Sequence, residues 1–414
     1  MATLTDARVS SVSELTGLLE RGGPPTEVQI AGTLEAVPAL TLPPGWALTG
    51  LPEAALVFAG GAGLTLTADN RVARLRLETA PDAAAVAAGT GRADCGTLEL
   101  DDLTTVGRVA IVAEGALRSG HLRVNALHIE AADARERLPR PAGYGVQVLQ
   151  GAFTLYNLQD DPGSLITADL TRLSAGAPDA PVRGSGIFVS GTDGGGRVEA
   201  ARLHTGAVHS DGGIAPGTAD RISGGVFVVR ASVREVFNAG PVTTYGANDM
   251  VLDLWGAADV WTAAAPLTSR GPSAIGFVSF GTIGRLRVTA PVETFGTGAR
   301  GFNVYDGAID IIEFDRITTH GDAAVGVQIG RPFGALTVFN GVHTHGGTGE
   351  TLVKGAIERL PATALSLLPG AEGGSVRVNG GVVAHGEGVP AVQVSGSVKD
   401  LDITGGVRAG GTAS

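Results

Sequence analysis

The chain has little of several residue types that carry common chemistry. Cys95 is the only cysteine among 414 residues, which excludes an internal disulfide and a cysteine-based zinc site. Lys354 and Lys399 are the only lysines, and aromatic residues make up 5% of the chain. Acidic residues outnumber basic ones by 41 to 30, and the resulting net charge of −11 argues against nucleic acid as a partner.

Long apolar runs are also missing. No stretch approaches the roughly 18 apolar residues that a membrane span requires. Residues 1–15 contain no basic segment followed by an apolar one, as a signal peptide would. We therefore expect a soluble, cytoplasmic protein without a membrane partner.

Glycine is abundant instead, with 64 residues, while hydrophobic residues make up 43% of the chain and the mean hydropathy is +0.21. This balance provides enough apolar side chains for a buried core. An intrinsically disordered chain is therefore excluded.

A repeat with a period of about 25 residues organises the second half of the chain. Five segments end in a similar Thr/Ser-rich sequence closed by glycine, and they follow one another at a constant spacing: VTTYG (242–246), LTSRG (267–271), VETFG (292–296), ITTHG (317–321) and VHTHG (342–346). A sixth, VVAHG (382–386), comes later than this spacing requires, which predicts an insertion of about 15 residues around 360–373. The units contain two or three short strands separated by glycine-rich turns.

A period of about 25 residues, with short strands and no helix, fits one turn of a parallel β-helix. Equivalent side chains of successive turns then stack in rows about 4.8 Å apart. The period predicts one inward apolar row, formed by Leu252, Phe277, Phe302, Val327 and Leu352. It predicts a second inward row whose hydroxyl groups bond one another along the stack, formed by Thr244, Ser269, Thr294, Thr319 and Thr344.

We expect one elongated all-β domain of about a dozen coils, residues 24–414, preceded by an N-terminal cap, residues 1–23. In the cap, Ser11 and Glu14 form a capping box, Leu15 lies on an apolar helix face, and Gly22 ends the helix. The C-terminal end has no comparable cap. It is poorly ordered, covered by the 355–372 insert, or docked onto another subunit as a homo-oligomer.

The segment PPTEVQIAGTLEAVPALTLPPGWALTG (24–50) resembles the start of right-handed parallel β-helix proteins of the pectin-lyase-like fold. Further on, DMVLDLWG, GPSAIGFVSFGTIGRL and GARGFNVYDG are similar to uncharacterised bacterial proteins with this fold. The resemblance covers nearly the whole chain. It implies the fold but no particular activity, because the fold hosts lyases, hydrolases, esterases, epimerases, tailspikes and purely structural proteins.

Glycan-active members of this fold imply a site in a lateral groove between long turns. The longest turns here, 174–186 and 204–225, place such a groove over coils that span roughly residues 200–350. Three outward rows near it supply the candidate substrate-binding residues, which are Tyr245, Arg270, His320 and His345 in the first row, Asn303 and Gln328 in the second, and Trp255, Phe280 and Tyr305 in the third.

The row of Trp255, Phe280 and Tyr305 has two interpretations. Three rings on consecutive coils form a flat apolar strip that suits the C–H faces of sugar rings. Stacked rings also fold over a corner and bury turn backbone without any ligand.

The histidine row likewise leaves two alternatives open. His320, His345 and His343, with Asp322, provide ligands that a divalent metal such as zinc accepts. The spacing is generic, however, and solvated, stacked imidazoles fit it better. We therefore expect no metal or other cofactor, with calcium or zinc as the weaker alternative.

Catalytic candidates come from the acidic turns and one arginine. Hydrolysis of a glycoside needs two carboxyl groups about 5 to 9 Å apart, for which Asp249, Asp253 and Asp322 are the candidates. A polysaccharide lyase needs a base, for which Arg270 or Arg300 is the candidate, and Asp249 with Asp253 then offers a calcium site.

These residues leave two functions open. The first is a carbohydrate-binding or carbohydrate-processing protein that takes an oligosaccharide or glycoconjugate in the lateral groove. If it is an enzyme, it is a glycoside hydrolase or a polysaccharide lyase. The alternative is a non-catalytic structural or assembly module that oligomerises through its ends or faces.

Overall fold

The structure is a computed structural model that describes residues 5–410, and nearly all of its regular structure is β-strand. Its helix, α1, spans Val12–Arg21. The strands in chain order are β1 Thr5–Val9, β2 Thr26–Ile30, β3 Thr33–Val37, β4 Leu40–Thr41, β5 Ala47–Gly50, β6 Ala55–Phe58, β7 Ala62–Leu66, β8 Arg71–Glu78, β9 Ala84–Ala88, β10 Asp94–Val106, β11 Arg108–Ala113, β12 Ser119–Ala131, β13 Ala142–Gly143, β14 Val146–Val148, β15 Gly151–Asn157, β16 Leu165–Ala175, β17 Val182–Arg183, β18 Ser185–Ser190, β19 Arg197–Asp211, β20 Arg221–Asn238, β21 Val242–Thr244, β22 Asp249–Ala263, β23 Leu267–Ser269, β24 Ile275–Ser279, β25 Thr282–Val288, β26 Val292–Thr294, β27 Arg300–Val304, β28 Ala308–Phe314, β29 Ile317–Thr319, β30 Val327–Ile329, β31 Phe333–Val338, β32 Val342–Thr344, β33 Thr348–Val353, β34 Ala356–Pro361, β35 Leu365–Leu367, β36 Glu372–Val378, β37 Val382–Glu387, β38 Val392–Val394, β39 Ser397–Ile403 and β40 Val407–Gly410.

The strands pair in parallel with strands of the next repeat. Residues one period apart are direct partners, as in the series β21–β23–β26–β29–β32, which pairs Val242 with Leu267 and continues unchanged to Val342. The strands join into one mostly parallel sheet of 38 strands. The predicted all-β class and the 25-residue period are therefore confirmed, and the architecture is that of a parallel β-solenoid.

The predicted apolar row lies in the core, with one correction. Leu252, Phe277, Phe302 and Val327 follow one another in register and are fully buried. The next partner in the row is Leu365 rather than Leu352. Leu352 instead lies on β33, because the inserted residues begin before it.

The insertion forms an antiparallel hairpin of β33 and β34, residues 348–361. The predicted position around 360–373 is therefore wrong, since β35 and the start of β36 lie there and pair with β30 and β31 of the preceding coil. The hairpin packs against Gly298 and Ser273 on the side of the solenoid. It does not cover the last described coil, where Val394, Leu401 and Val407 are 43%, 41% and 52% exposed. Residues 411–414 of the expected C-terminal end lie outside the described residues.

The buried threonine row is confirmed, but its hydrogen bonds differ from the prediction. The hydroxyl groups of Thr294, Thr319 and Thr344 each donate to a backbone carbonyl further along the chain, for example Thr294 Oγ1 to the Ala299 oxygen at 2.7 Å. The hydroxyls of Thr294 and Thr319 therefore hold the turn after their strands, and that of Thr344 bonds across the insertion, whereas those of Thr244 and Ser269 have no partner among the described residues.

The N-terminal helix forms as predicted, with one difference in the capping box: the amide that the Glu14 carboxylate accepts from is that of Ser10 and not that of Ser11. Its N-cap is Ser11, whose Oγ accepts from the Glu14 amide at 3.3 Å, while the Glu14 carboxylate accepts from the amide of Ser10. Leu15 is fully buried in the core cluster, and Gly22 ends the helix with a φ of 58°. Within residues 5–410 no helix has the length and apolar character to cross a bilayer.

The core row makes a direct prediction about stability. Phe302→Ala should lower the free energy of unfolding by about 3–5 kcal/mol, because it leaves a cavity between the rings of Phe277 and Phe314. Chemical denaturation measures this loss. The control Phe339→Ala, at a ring that is 47% exposed, should change stability by no more than about 0.5 kcal/mol. Equal effects of the two changes would contradict the inward assignment of Phe302.

Candidate functional site

A second apolar cluster lies on the outside of the solenoid wall. Besides the main core, buried side chains from consecutive coils pack together on the outer side of β18, β20, β22 and β24, among them Phe188, Phe227, Met250, Trp255 and Val278. Such residues would face water on a bare wall. They are buried because two segments of the chain cover them.

We call these two segments the lid, which consists of the loop 139–148 and the hairpin 348–361. The loop contains the short antiparallel pair β13–β14, and β14 also pairs with the start of β20. The two parts meet at Gly145 and Gly355, whose φ values are 86° and 81°. A Cβ at Gly145 would approach the carbonyl oxygen of Lys354 to 2.5 Å, so a side chain at this contact would push the two parts of the lid apart.

Tyr144 of the lid covers the predicted aromatic strip. Its ring stacks on Phe280 with the centroids 4.2 Å apart and meets Trp255 edge-on at 5.2 Å. Phe280 stacks in turn on Tyr305 at 5.1 Å. The three predicted rings therefore do form one strip, but a ring of the chain itself occupies the face on which a sugar was expected to lie.

A cavity of about 30 Å³ remains beneath the lid, which is room for about one water molecule. One carboxyl group, that of Asp253, belongs to its lining. The residues around it are Tyr144, Val146, Ile222, Met250, Asp253, Ser273, Ile275, Val278, Phe280, Tyr305, Leu352 and Lys354.

Asp253 is fully buried, and neither of its carboxylate oxygens has a hydrogen-bond partner among residues 5–410. Burial raises the pKa of this carboxyl group well above its usual range. The indole N–H of Trp255 opposes part of the shift without reaching hydrogen-bond distance. We therefore expect Asp253 to hold a proton at pH values where ordinary aspartates are charged.

Arg300 lies just beyond the cavity in the outward row of Met250 and Ile275, and it is also fully buried. Its Nη2 donates to the Thr351 hydroxyl at 3.2 Å and to the Leu352 carbonyl at 3.3 Å, both on the lid hairpin. Its Nε and Nη1 have no partner within the described chain. Burial lowers the pKa of the guanidinium to about 10, so it stays charged at neutral pH.

Asn303 and Gln328 are buried and bonded to each other, from Asn303 Nδ2 to Gln328 Oε1 at 3.2 Å. They continue the row that begins with Asp253 and Val278. The amide oxygen of Asn303 has no partner among the described atoms. Of the polar residues in this row, Asp253 lines the cavity, whereas Asn303 and Gln328 are buried outside its lining.

The other two carboxyl candidates lie elsewhere. Asp249 is buried, and its carboxylate accepts from the amides of Gly212 at 3.2 Å and Gly246 at 2.8 Å. Burial raises its pKa to about 7. Three residues, Met250, Val251 and Leu252, separate Asp249 from Asp253 along the strand, and Asp249 is absent from the cavity lining. Asp322 lies in an exposed turn and accepts from the Gly347 amide at the base of the hairpin. The structure does not bring these three carboxyl groups together.

The first outward row, which contains Tyr245, Arg270, His320 and His345, forms a stacked column on another part of the surface. The guanidinium of Arg270 lies 4.3 Å above the Phe295 ring, and Tyr245 bonds to His209 at its start. Phe295, His320, His345 and His385 then stack at centroid distances of 4.6, 5.1 and 4.4 Å. These rings use their faces on one another, so only their edges remain for a ligand.

The column does not have the geometry of a metal site. In rings that are parallel within 8°, the nitrogen lone pairs lie in parallel planes and cannot converge on one ion. His320 instead bonds to Glu293 at 2.9 Å. Within the range 5–410 no group of three or more His, Cys, Asp or Glu side chains could hold a metal ion.

A larger concavity of about 570 Å³ lies over β12, β16, β19, β20 and β22, and Glu199, Arg234 and Asp259 are among its lining. It is an open groove, and its charged side chains are exposed to solvent. Asp253 and Arg300, which both have buried polar atoms without partners among residues 5–410, lie instead beneath the lid, Asp253 in the cavity lining and Arg300 against the hairpin. We therefore take the lidded pocket as the candidate site.

The lid is the part of the site that the sequence did not reveal. Tyr144, Ser273, Leu352 and Lys354 belong to the cavity lining, yet none of them lies at a repeat position that marks it as functional. Of the expected walls, 204–225 contributes Ile222 to the cavity lining, but the segments that cover the aromatic strip are the loop 139–148 and the hairpin 348–361. The sequence does contain one indication of the lid. The chain before β15 and the chain between β32 and β35 are both longer than the repeat requires.

The buried acid predicts a pH-dependent change in stability. An acid whose pKa is raised by folding destabilises the native state progressively as the pH rises above its unfolded value, about 3.9. Asp253→Asn removes this cost. We expect the variant to gain free energy of unfolding over the wild type at pH 7 and to gain less at pH 4, as measured by urea denaturation.

The exposed change Asp310→Asn serves as the control and should show no such difference between the two pH values. A loss of stability in Asp253→Asn at pH 7 would show instead that the charged carboxylate has a favourable partner in the folded protein.

Comparisons of the chain with protein-family models, with curated protein sequences and with solved structures find no significant match. Any function proposed for the chain therefore rests on the geometry of the lidded pocket.

Proposed function

We propose that this protein binds a carbohydrate, an oligosaccharide or glycoconjugate, in the lidded pocket on the side of its solenoid. We further propose that the solenoid is a right-handed β-helix of the pectin-lyase-like kind, with about a dozen coils and α1 as its N-terminal cap. The parallel register and the burial of Leu15 against the first coils support this assignment. The cytoplasmic location expected from the sequence stays a proposal.

The observation that carries the functional proposal is Asp253, a buried carboxyl group without a partner in a cavity walled by aromatic rings. A protonated carboxyl both donates and accepts a hydrogen bond, as a sugar hydroxyl requires. The faces of Phe280 and Tyr305 suit the C–H face of a sugar ring. Burying unpartnered polar atoms costs stability, and a ligand that bonds to them offsets this cost.

The ligand enters only when the lid moves, because the closed cavity is far smaller than a sugar ring. Tyr144 is the residue it displaces. The phenol oxygen lies 3.4 Å from both the Phe280 carbonyl and the Asp306 carboxylate, which are long contacts on a ring that is 37% exposed. A sugar ring that replaces the tyrosine ring on Phe280 gains a similar stacking contact.

Binding is favoured over hydrolysis by the number of carboxyl groups. Glycoside hydrolysis ordinarily uses two that lie about 5 to 9 Å apart. The cavity lining contains Asp253 alone, and Asp249 and Asp322 lie outside it. An enzymatic role, as a glycoside hydrolase or polysaccharide lyase, therefore has weaker support than a binding role.

The alternative function, a structural or assembly module, is favoured by the last described coil. Its strands β38, β39 and β40 each pair on one side within residues 5–410, and Val394, Leu401 and Val407 are exposed there. A second copy of the chain that pairs with these strands would form a homo-oligomer.

The test is calorimetric titration with a panel of neutral and acidic oligosaccharides. We expect at least one to bind, and Asp253→Ala to weaken its binding by about tenfold or more, because a buried hydrogen-bonding group is lost. Phe339→Ala, a surface change away from the lid, should bind as the wild type does.

Two results would contradict the proposal. One is an absence of binding by every sugar in the panel, together with concentration-dependent oligomers in light scattering, which would favour the assembly function. The other is equal binding by the wild type and Asp253→Ala, which would place the sugar at a different surface.

A further inference from the structure

Arg300 is a buried charge that the closed structure leaves incompletely compensated. Its guanidinium carries five N–H donors, of which only those on Nη2 meet acceptors. Glu358, on the lid hairpin, is an acid whose charge favours the charged guanidinium, but within residues 5–410 it forms neither a hydrogen bond nor an ion pair with Arg300. A buried aspartate can avoid such a cost by taking up a proton, but an arginine cannot lose its proton at neutral pH.

Holding the lid hairpin against the wall does not account for a charged side chain at position 300. The contacts to the Thr351 hydroxyl and the Leu352 carbonyl use one nitrogen, and a neutral amide would serve them as well. The donors on Nε and Nη1 remain free within the described chain. A planar, permanently charged group with free donors is suited to an oxyanion.

A second cation lies on the lid hairpin that covers Arg300. Lys354 lines the cavity, its Nζ lies 5.3 Å from the centre of the Tyr305 ring, and it donates to the Tyr305 carbonyl at 3.4 Å. Arg300 lies 5.7 Å from the centre of the same ring. Asp253, the one carboxyl group of the cavity lining, does not oppose an anion while it holds its proton. Two further acids lie nearby, Glu358 on the hairpin and Asp306, which contacts Tyr144 and is paired with Arg331 at 3.0 Å. Arg300 and Lys354 therefore outnumber the acid that remains without an ion pair, Glu358, although the chain as a whole is acidic.

We propose that the lidded pocket recognises a ligand through an oxyanion, a carboxylate, sulfate or phosphate group, which binds to Arg300 with Lys354 as the second cation. This inference rests on the proposed function in one respect, which is that the oxyanion is part of a sugar. When the hairpin lifts, the anion takes the place of the Thr351 and Leu352 contacts and also meets Nε or Nη1. The negative net charge of the chain weakens the approach of an anion over long distances, but salt screens such effects beyond about 10 Å.

The experiment compares a charged and a neutral ligand of the same shape. Methyl β-glucuronide, methyl β-glucoside, sodium sulfate and sodium phosphate are titrated at constant ionic strength, and both heat and the thermal midpoint are measured. We expect the glucuronide to bind the wild type at least about tenfold more tightly than the glucoside, and to raise the midpoint by a few degrees near one hundred times its dissociation constant.

Arg300→Met is the decisive variant, with Arg234→Met as its matched control on an exposed arginine outside the lid. Arg300→Met should fold and keep or raise its midpoint without ligand, because methionine resembles the apolar neighbours Met250 and Ile275 in the row. It should lose at least tenfold in glucuronide affinity, whereas Arg234→Met should lose none. If Arg300→Met does not fold, Lys354→Met on the exposed hairpin replaces it, with an expected loss of several fold.

The outcomes separate this inference from the proposed function. Equal binding of glucuronide and glucoside overturns the oxyanion site and leaves carbohydrate binding intact. Sulfate or phosphate binding that depends on Arg300, without binding of either sugar, supports the oxyanion site and overturns carbohydrate binding. No response to any anion, or an unchanged affinity in the charge-removing variant, overturns the oxyanion site.

Discussion

The backbone hydrogen bonding between one coil and the next is the constraint on which the rest of the structure depends. It fixes a constant spacing along the chain, so each position of a coil lies above the same position of the coil before it. Extra residues must then loop out without disturbing the register. The hairpin 348–361 does this, since Ile317 pairs with Val342 and Val342 pairs in the same register with Val382, on the far side of the insertion.

The looped-out segments cover one side of the solenoid wall. The loop 139–148 and the hairpin 348–361 fold back over consecutive outward rows, so apolar and polar side chains that would face water on a bare solenoid are buried together. Apolar residues gain from this burial, but Asp253 and Arg300 lose solvent without gaining full sets of partners. We propose that a ligand supplies the missing partners of Asp253 and Arg300, since local departures from full hydrogen bonding often mark functional sites.

The repeat made most of the fold predictable, because equal spacing and inward side chains such as Phe277 and Phe302 follow from local sequence alone. It also placed Asp253, Phe280, Tyr305 and Arg300 on neighbouring coils. The lid was not predictable, because Tyr144 and Lys354 reach the site through tertiary contacts of non-repeating segments. Burial of Asp253 follows from those contacts, so its protonation could not be inferred either. The predicted position of the insertion was wrong for a related reason. Leu352 lies 25 residues after Val327, as the repeat requires, but it belongs to the hairpin.

Ligand binding in the pocket requires above all that the lid opens as a unit while the solenoid beneath it stays folded. Amide hydrogen exchange measured at neutral pH tests this most directly, because it reports local opening separately from global unfolding. We predict that amides of 139–148 and 348–361 exchange at least about a hundredfold faster than those of β26 and β29 in the core rows. Equal protection of the lid and the core strands would contradict this prediction, and would make the lid a fixed part of the wall.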